Sequence, residues 1–125
     1  MTIKRTHKLF QKEYLKKNNH LKILDLGCTH VNYWEEANHF ADIVDYTKQF
    51  SEKNINFTLL EVNKKLPFKD KEFDYVILSH VLEHVPNINE FTQEVERIAK
   101  AGYIELPTKL ADNLVIGCDE EDIGH

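Results

Sequence analysis

Short apolar runs alternate with longer polar segments along most of this chain, and this alternation constrains the fold more than any other feature. The clearest run, Phe73–Ser79, contains four consecutive apolar residues at Tyr75–Leu78. Continuous runs of this kind are typical of central strands in a parallel sheet that is covered on both faces. The other predicted strands span residues 21–26, 41–46, 55–62 and 103–106. Because the intervening segments are long enough for crossover connections, the sequence predicts a doubly wound α/β fold with a parallel sheet.

The composition favours one water-soluble domain of 125 residues, with 42% hydrophobic and 30% charged residues. A net charge of -5 argues against electrostatic docking to nucleic acid or anionic lipid. Cys28 and Cys118 lie far apart and form no CxxC pair, so we expect neither a disulfide framework nor a cysteine-based zinc site. Without an apolar run of membrane-spanning length or a hydrophobic signal core, the sequence predicts a cytoplasmic protein with no membrane segment.

Three helices are predicted from apolar spacing and capping residues. The first covers residues 2–17 and has an apolar face formed by Ile3, Leu9, Phe10, Tyr14 and Leu15. The second covers Val31–Phe40, and the third follows Asn87 and Glu90, which are spaced as in a capping box. The single predicted domain consists of an N-terminal helix, a core and a tail at residues 1–19, 20–107 and 108–125.

Two residues at the ends of predicted strands indicate a ligand site. Gly27 directly follows the first strand, where a glycine permits a tight turn and lets a ligand approach the backbone. Asp45 ends the second strand, twenty residues after Asp25, where an acidic side chain can accept hydrogen bonds from both hydroxyls of a ribose. Together these features favour a nucleoside-containing cofactor; the alternative for Asp45 is a helix cap or turn residue.

The segment Leu66–Val85 carries a motif that resembles a known family. It reads LPF, a short polar stretch, FD, an apolar strand and a VLEHV turn. This pattern resembles the central signature of class I S-adenosylmethionine-dependent methyltransferases with a methyltransferase type 11-like domain. The run Ile23–Cys28 (ILDLGC) is similar to the first motif of the same family, and the resemblance extends over residues 21–107. It implies a Rossmann-like sheet of strand order 3-2-1-4-5 and S-adenosylmethionine as the cofactor.

The resemblance also implies roles for residues at the strand ends. The methionine end of the cofactor would contact the first turn, at Asp25, Gly27, Cys28 and Thr29. The ribose side of the site would be formed by Asp45 and Tyr46. The adenine side would be formed by Glu61, Val62 and Asn63. At the end of the fourth strand, the residues facing cofactor and substrate would be Ser79 and His80.

His80 is the predicted catalytic base, because methyl transfer to a weakly acidic acceptor requires removal of a proton. The alternative is a structural histidine bonded to the backbone. The stretch His80–His84 also matches the H-x-x-E-H pattern of some zinc proteases, with Glu94 or Glu105 as a third ligand. Because the stretch follows a buried strand and Pro86 interrupts any helix there, we predict no metal site.

This chain departs from the family at two places. The family's GxGxG turn corresponds here to Gly27, Thr29 and Val31, so two of its glycines are absent. The family's sheet has seven strands, the last two forming an antiparallel hairpin, whereas the tail 108–125 holds at most one short strand, Leu114–Ile116. We therefore expect the last two strands to be lacking, the chain to be truncated at its C-terminal end, and the bare edge strand to favour a homodimer.

The sequence therefore predicts methyl transfer from S-adenosylmethionine to a small-molecule or glycan-type acceptor. A second hypothesis keeps the fold without the reaction, as a non-catalytic domain that binds a nucleoside weakly or serves in protein interaction. A nicotinamide-binding Rossmann domain fits less well, because Gly27 is not followed by the expected GxxG.

Overall fold

Five adjacent parallel strands, which run from one edge of the sheet through its centre and are called the central strands below, belong to a seven-stranded sheet. The computed structural model describes residues 2–29, 31–61, 65–79, 87–105 and 113–117. The strands within these ranges are β1 Thr2–Arg5, β2 Ile23–Leu26, β3 His39–Asp42, β4 Phe57–Leu59, β5 Tyr75–Ser79, β6 Ala101–Glu105 and β7 Asn113–Gly117. The helices are α1 Lys8–Lys17, α2 Thr47–Glu52 and α3 Ile88–Ile98.

The central strands lie in the order β4-β3-β2-β5-β6, which is the predicted order 3-2-1-4-5. All four pairings among them are parallel; Leu24, for example, is opposite Val76 on β5. Every residue of β2 and the first four residues of β5 are buried, as expected for strands covered on both faces. The predicted doubly wound α/β architecture is confirmed.

The sheet continues beyond β6, which corrects the expectation that the last two strands are lacking. β7 pairs antiparallel with β6, and β1 pairs antiparallel with β7, so β1 runs parallel to the central strands. β7 contains the predicted tail strand Leu114–Ile116, whereas β1 comes from residues predicted as the start of the first helix. That helix begins only at Lys8, because Thr2–Arg5 instead find backbone partners on the distant β7.

The second predicted helix is absent, and Val31–Phe40 forms turns that lead into β3. Side chains satisfy backbone groups here that a helix would otherwise satisfy. The carboxylate of Asp25 accepts the Trp34 N–H at 2.8 Å. Asn38 accepts the N–H of Ile23 at 2.9 Å through Oδ1 and donates through Nδ2 to a further backbone carbonyl. These long-range bonds hold the segment against β2 without helical structure.

Each face of the sheet has its own apolar core. On the first face, the buried side chains come from α1, α2 and the strands, and include Leu15, Phe50, Phe40, Ile77 and Tyr103. On the second face they come from α3, the segment before β5 and the strands, and include Val95, Ile98, Leu66, Phe73 and Leu78. Because the five central strands are parallel, their carboxyl ends all lie along one edge of this sandwich.

Candidate functional site

Those predicted site residues that end or directly follow a described strand lie at the edge of the sheet where the five parallel strands end, which we call the carboxyl edge. Its positions are the strand ends and the residues that directly follow them, including Gly27, Asp42, Leu59, Ser79 and Glu105. In open α/β sheets, ligands bind outside this edge because the loops there can diverge and leave a crevice.

The turn after β2 begins at Gly27, whose φ of 87° lies in the left-handed region that favours glycine. Its N–H donates to the carbonyl of Ala41 at 2.8 Å, which ties the turn to β3. Thr29 then closes a short turn with Asn32: its Oγ accepts the Asn32 N–H at 2.9 Å, and its own N–H donates to the Asn32 carbonyl at 3.1 Å. The predicted tight turn is present, but it is not followed by the N-terminus of a helix.

Asp25 and Cys28 are buried beneath this turn. Burial raises the pKa of the Asp25 carboxyl to about 7, against the opposing effects of the Trp34 N–H bond and the Lys12 and Lys8 charges. Burial likewise raises the pKa of the Cys28 thiol to about 12, with the nearby charge of Asp25 acting in the same direction. The thiol therefore stays protonated at neutral pH and is chemically inert there. Both side chains lie on the buried side of the turn and support it.

Asp45 is exposed and follows β3 along the carboxyl edge. Its Oδ1 accepts the Thr47 N–H at 3.0 Å, so it acts at the start of α2, and hydrogen bonds with Thr47 lower the pKa of its carboxyl. An ionised carboxylate has about four acceptor positions, so this bond leaves capacity for ribose hydroxyls. The ring of Tyr46 meets that of Phe57 edge to face, with centroids 6.2 Å apart.

A second carboxylate, which was not predicted from the sequence, lies at this end of β3. Asp42 is half-buried and accepts the Val44 N–H at 2.8 Å, and burial raises the pKa of its carboxyl. Strand β3 ends at Asp42, four residues before the predicted end at residue 46, which brings this side chain to the carboxyl edge. Asp42 and Asp45 each follow two apolar residues in the sequence, but only Asp45 was predicted as the acidic residue that ends the strand.

Large apolar side chains are exposed along the same part of the carboxyl edge. The exposed fractions are 80% for Val31, 56% for Ile43, 50% for Val44 and 46% for Leu59. These residues come from the loops after β2 and β3 and from the end of β4. Apolar surface gathered around polar groups at a strand edge is typical of a ligand-binding crevice.

Ser79 and Glu105 are opposite each other at the ends of β5 and β6. The Ser79 hydroxyl donates to Glu105 Oε2 at 3.0 Å, and Lys8 Nζ of α1 lies 3.5 Å from the same oxygen. Of these two residues, only Ser79 was predicted for the cofactor site. Glu105 was considered only as a third zinc ligand for the H-x-x-E-H pattern. The helix α1 also places Lys12 Nζ 4.6 Å from the centre of the Trp34 ring.

Several predicted residues lie outside the described ranges: Val62, Asn63, His80, Glu83 and His84. Glu61 is described and is exposed just beyond β4. Within the described part of the chain, no three His, Cys, Asp or Glu side chains are grouped so as to hold a metal ion. None of the helices in these ranges is long and apolar enough to cross a membrane.

Two cavities lined by described residues lie away from the carboxyl edge. One, of about 480 Å³, is at the opposite end of β5 and β6 and is lined by residues such as Tyr14, Asp74 and Lys100. The other, of about 340 Å³, lies beside α2 and β4.

Comparison with known proteins gives a consistent result. A family described as "Methyltransferase domain" matches residues 19–104. The uncharacterized protein MJ1123 of Methanocaldococcus jannaschii is 33% identical over 62 residues, which are 50% of this chain and 30% of that protein.

Two solved structures share the fold. An S-adenosylmethionine-dependent methyltransferase from Aquifex aeolicus is 18% identical, with a TM-score of 0.54 over 77% of this chain and 63% of that one. The methyltransferase CalH, in complex with S-adenosylhomocysteine, is 20% identical, with a TM-score of 0.57 over 74% of this chain and 34% of that one. The chain thus spans less than two thirds of the length of these relatives.

Proposed function

Because this chain belongs to the methyltransferase domain family, we propose that it transfers a methyl group from S-adenosylmethionine to a small-molecule or glycan-type acceptor. The cofactor of the family is S-adenosylmethionine, which supplies a methyl group activated by a positively charged sulfur. The observation that carries the proposal is the position of Gly27, Asp45 and Ser79, which all lie along the carboxyl edge.

The residues of the edge fit the chemistry of this cofactor. Ribose hydroxyls are hydrogen-bond donors, and the exposed carboxylate of Asp45 is an ionised acceptor. Adenine has an apolar face, which suits the exposed side chains of Ile43, Val44 and Leu59. The turn at Gly27 allows the backbone to approach the methionine end closely.

The chain's own residues would bind and orient the two reactants and exclude water between them. In this proposal, Asp45 holds the ribose and Ser79 faces the acceptor, one strand away from the turn at Gly27. His80, the next residue along, keeps its proposed role of removing a proton from the acceptor. We also propose a cytoplasmic location, which is compatible with the free thiol of Cys28.

Calorimetric titration with S-adenosylhomocysteine tests the cofactor site. The Asp45→Asn variant keeps a side-chain oxygen that can accept the Thr47 N–H, but it removes the charge. We expect micromolar binding by the native chain and binding at least about tenfold weaker in Asp45→Asn. The exposed Glu52→Gln variant, on α2, is the matched control and should bind like the native chain.

A non-catalytic binding domain remains the second candidate function, favoured by one observation. The turn after Gly27 is closed by Thr29 and Asn32 and does not lead into a helix whose N–H groups could hold a ligand. Absence of binding at millimolar S-adenosylhomocysteine would overturn methyl transfer by this chain and favour a non-catalytic domain that serves in protein interaction.

A further inference from the structure

Asp25 carries a buried carboxyl group with few groups that stabilise its charge. The residue is only 1% exposed and lies on the buried side of the turn that begins at Gly27. Its carboxylate accepts the Trp34 N–H at 2.8 Å, and no further hydrogen bond reaches it from the residues that the structure describes. An ionised carboxylate has about four acceptor positions, so a single bond satisfies only a small part of them. Such an anion is costly, because burial removes the water that would otherwise stabilise it.

The two lysines whose charges act on Asp25 are each paired with another carboxylate. Lys12 Nζ lies 2.9 Å from Glu36 Oε1, and Lys8 Nζ lies 3.5 Å from Glu105 Oε2. Both ammonium groups lower the pKa of Asp25, but the effect of burial is larger, and the pKa is about 7. In the free chain, this carboxyl therefore exchanges a proton with solvent near neutral pH.

Two other titratable groups lie near Asp25. The Cys28 thiol is uncharged at neutral pH, because its pKa is raised to about 12. Asp42, at the end of β3, is half-buried, and burial raises the pKa of its carboxyl as well. However, Asp42 accepts the N–H groups of both Ile43 and Val44, and these bonds stabilise its ionised form. The ionised form of Asp25 is both more deeply buried and less well bonded, so an added positive charge should affect it more.

The cofactor carries such a charge. S-adenosylmethionine and S-adenosylhomocysteine both have an α-ammonium at the methionine end, which the proposed function assigns to the turn at Gly27. We propose that cofactor binding displaces a proton from Asp25 to the solvent, so that the pH regulates the affinity of this site. This inference rests on the proposed function, because it concerns the same cofactor in the same site.

The direction of the pH dependence follows from the two protonation states of Asp25. Below the pKa of about 7, the free chain must lose a proton before its carboxylate can stabilise the ammonium, and this requirement lowers the affinity. Above that pKa the carboxylate is already charged, and the affinity levels off. With Asp25 ionised in the complex, the affinity should rise about eightfold between pH 6 and pH 7.5. About half a proton per bound cofactor should be released at pH 7.

Calorimetric titration with S-adenosylhomocysteine in two buffers of different ionisation enthalpy counts the released protons. The measured heats differ because each released proton binds to the buffer. Asp25→Asn keeps an acceptor for the Trp34 N–H but has no proton to release, so we expect no release and no eightfold rise in affinity. Glu35→Gln, which alters an exposed carboxylate next to Trp34, is the matched control and should behave like the native chain.

Carbon-13 NMR of the aspartate carboxyl groups gives a second measurement on the native chain, which is decisive if Asp25→Asn does not fold. One aspartate resonance should titrate near pH 7 in the free chain and below about pH 6 in the complex. Proton release that persists in Asp25→Asn would assign the proton to another group, such as Asp42, and overturn the proposal. Cofactor binding without proton release would overturn this proposal alone, whereas absence of binding at millimolar S-adenosylhomocysteine would overturn the proposed function and this inference with it.

Discussion

Two tyrosines on the first face of the sheet are both fully buried but differ in their hydrogen bonding. The Tyr75 hydroxyl donates to Oε1 of the buried Gln11 on α1. The Tyr103 hydroxyl finds no hydrogen-bond partner among the described residues, and burial, helped by the Glu105 charge, raises the pKa of its phenol well above the ordinary value. Removal of the Tyr75 hydroxyl and removal of the Tyr103 hydroxyl should therefore change the free energy of unfolding in opposite directions.

We expect Tyr103→Phe to raise the free energy of unfolding by about 1 kcal/mol, because it removes the desolvation cost of an unpaired hydroxyl. Tyr75→Phe should lower it by about 1–2 kcal/mol, since Gln11 loses its buried partner. Urea unfolding of both variants checks the pair. Equal losses in the two variants would mean that Tyr103 has a hydrogen-bond partner in the folded chain.

The buried carboxyl of Asp25 should make stability depend on pH. Its pKa of about 7 in the folded state exceeds the value of about 3.9 for an unfolded aspartate. The folded state therefore binds more protons between these values, and the free energy of unfolding falls as the pH rises from about 4 to about 7.

Asp25→Asn should remove this dependence while still accepting the Trp34 N–H. The free energy of unfolding of the variant minus that of the native chain should be larger at pH 8 than at pH 4.5, by on the order of 2–4 kcal/mol. Urea unfolding at the two pH values measures this gain. A stability difference between variant and native chain that is the same at both pH values would contradict the prediction.

At the scale of elements, α3 holds the segment before β5 in place. The Arg97 guanidinium donates to the carbonyls of Leu66 at 2.9 Å and Phe68 at 2.7 Å, and Glu94 pairs with it. Glu94 also accepts the Leu66 N–H at 2.8 Å. The LPF motif that resembles the methyltransferase signature is thus anchored to α3.

Arg97→Ala should destabilise the domain by about 2 kcal/mol, because partly buried carbonyls at Leu66 and Phe68 lose their donor. Thermal and urea unfolding measure the loss. Glu96→Ala, one position away on an exposed part of α3, is the control and should change stability by less than about 0.5 kcal/mol. If both variants unfold alike, the anchoring by Arg97 contributes nothing measurable.

The ends of the helices were predictable from the sequence only where side chains close in the sequence determine them. Asn87 Oδ1 accepts the Glu90 N–H at 3.3 Å, as the capping box predicted, and α3 begins there. The predicted helix Val31–Phe40 is wrong, because Asp25 and Asn38 form bonds across the turn that no local pattern reveals. The first helix was predicted too long for a similar reason, since β1 pairs with a strand more than a hundred residues away.

At the scale of the whole molecule, the first and last described strands complete the sheet together. β1 pairs only with β7, and β7 separates it from β6. The edge of β6, which was predicted from the sequence to be bare, is therefore covered by β7. The predicted homodimer stays a prediction, and its interface would have to involve a different edge, at β1 or β4.

Deletion of residues 2–5 should expose β7 and lower the melting temperature by at least about 4 °C, the equivalent of roughly 1 kcal/mol in a domain of this size. An unpaired β7 edge should also cause concentration-dependent self-association. Thermal unfolding and sedimentation velocity measure the two effects. The Ile3→Val control keeps a β-branched residue in β1 and should behave like the native chain; a deletion variant equally stable and monomeric would show that β1 is dispensable.

The sequence by itself determined the central sheet and part of the site. Continuous apolar runs and connections of crossover length identify a parallel sheet. The runs are continuous because a strand buried on both faces requires an apolar residue at nearly every position. Parallel strands in turn bring their carboxyl ends to one edge, so residues that end strands, such as Gly27, Asp45 and Ser79, were predictable as neighbours of a ligand.

Only the tertiary structure decided which distant groups meet at that edge. Ser79 and Glu105 face each other because of the register of β5 and β6, and Lys8 joins them because α1 docks on the first face. The sheet has seven strands because β1 and β7 pair across nearly the whole chain. Register, docking and edge pairing depend on the sum of many weak contacts between remote segments, and no local pattern of residue types encodes that sum.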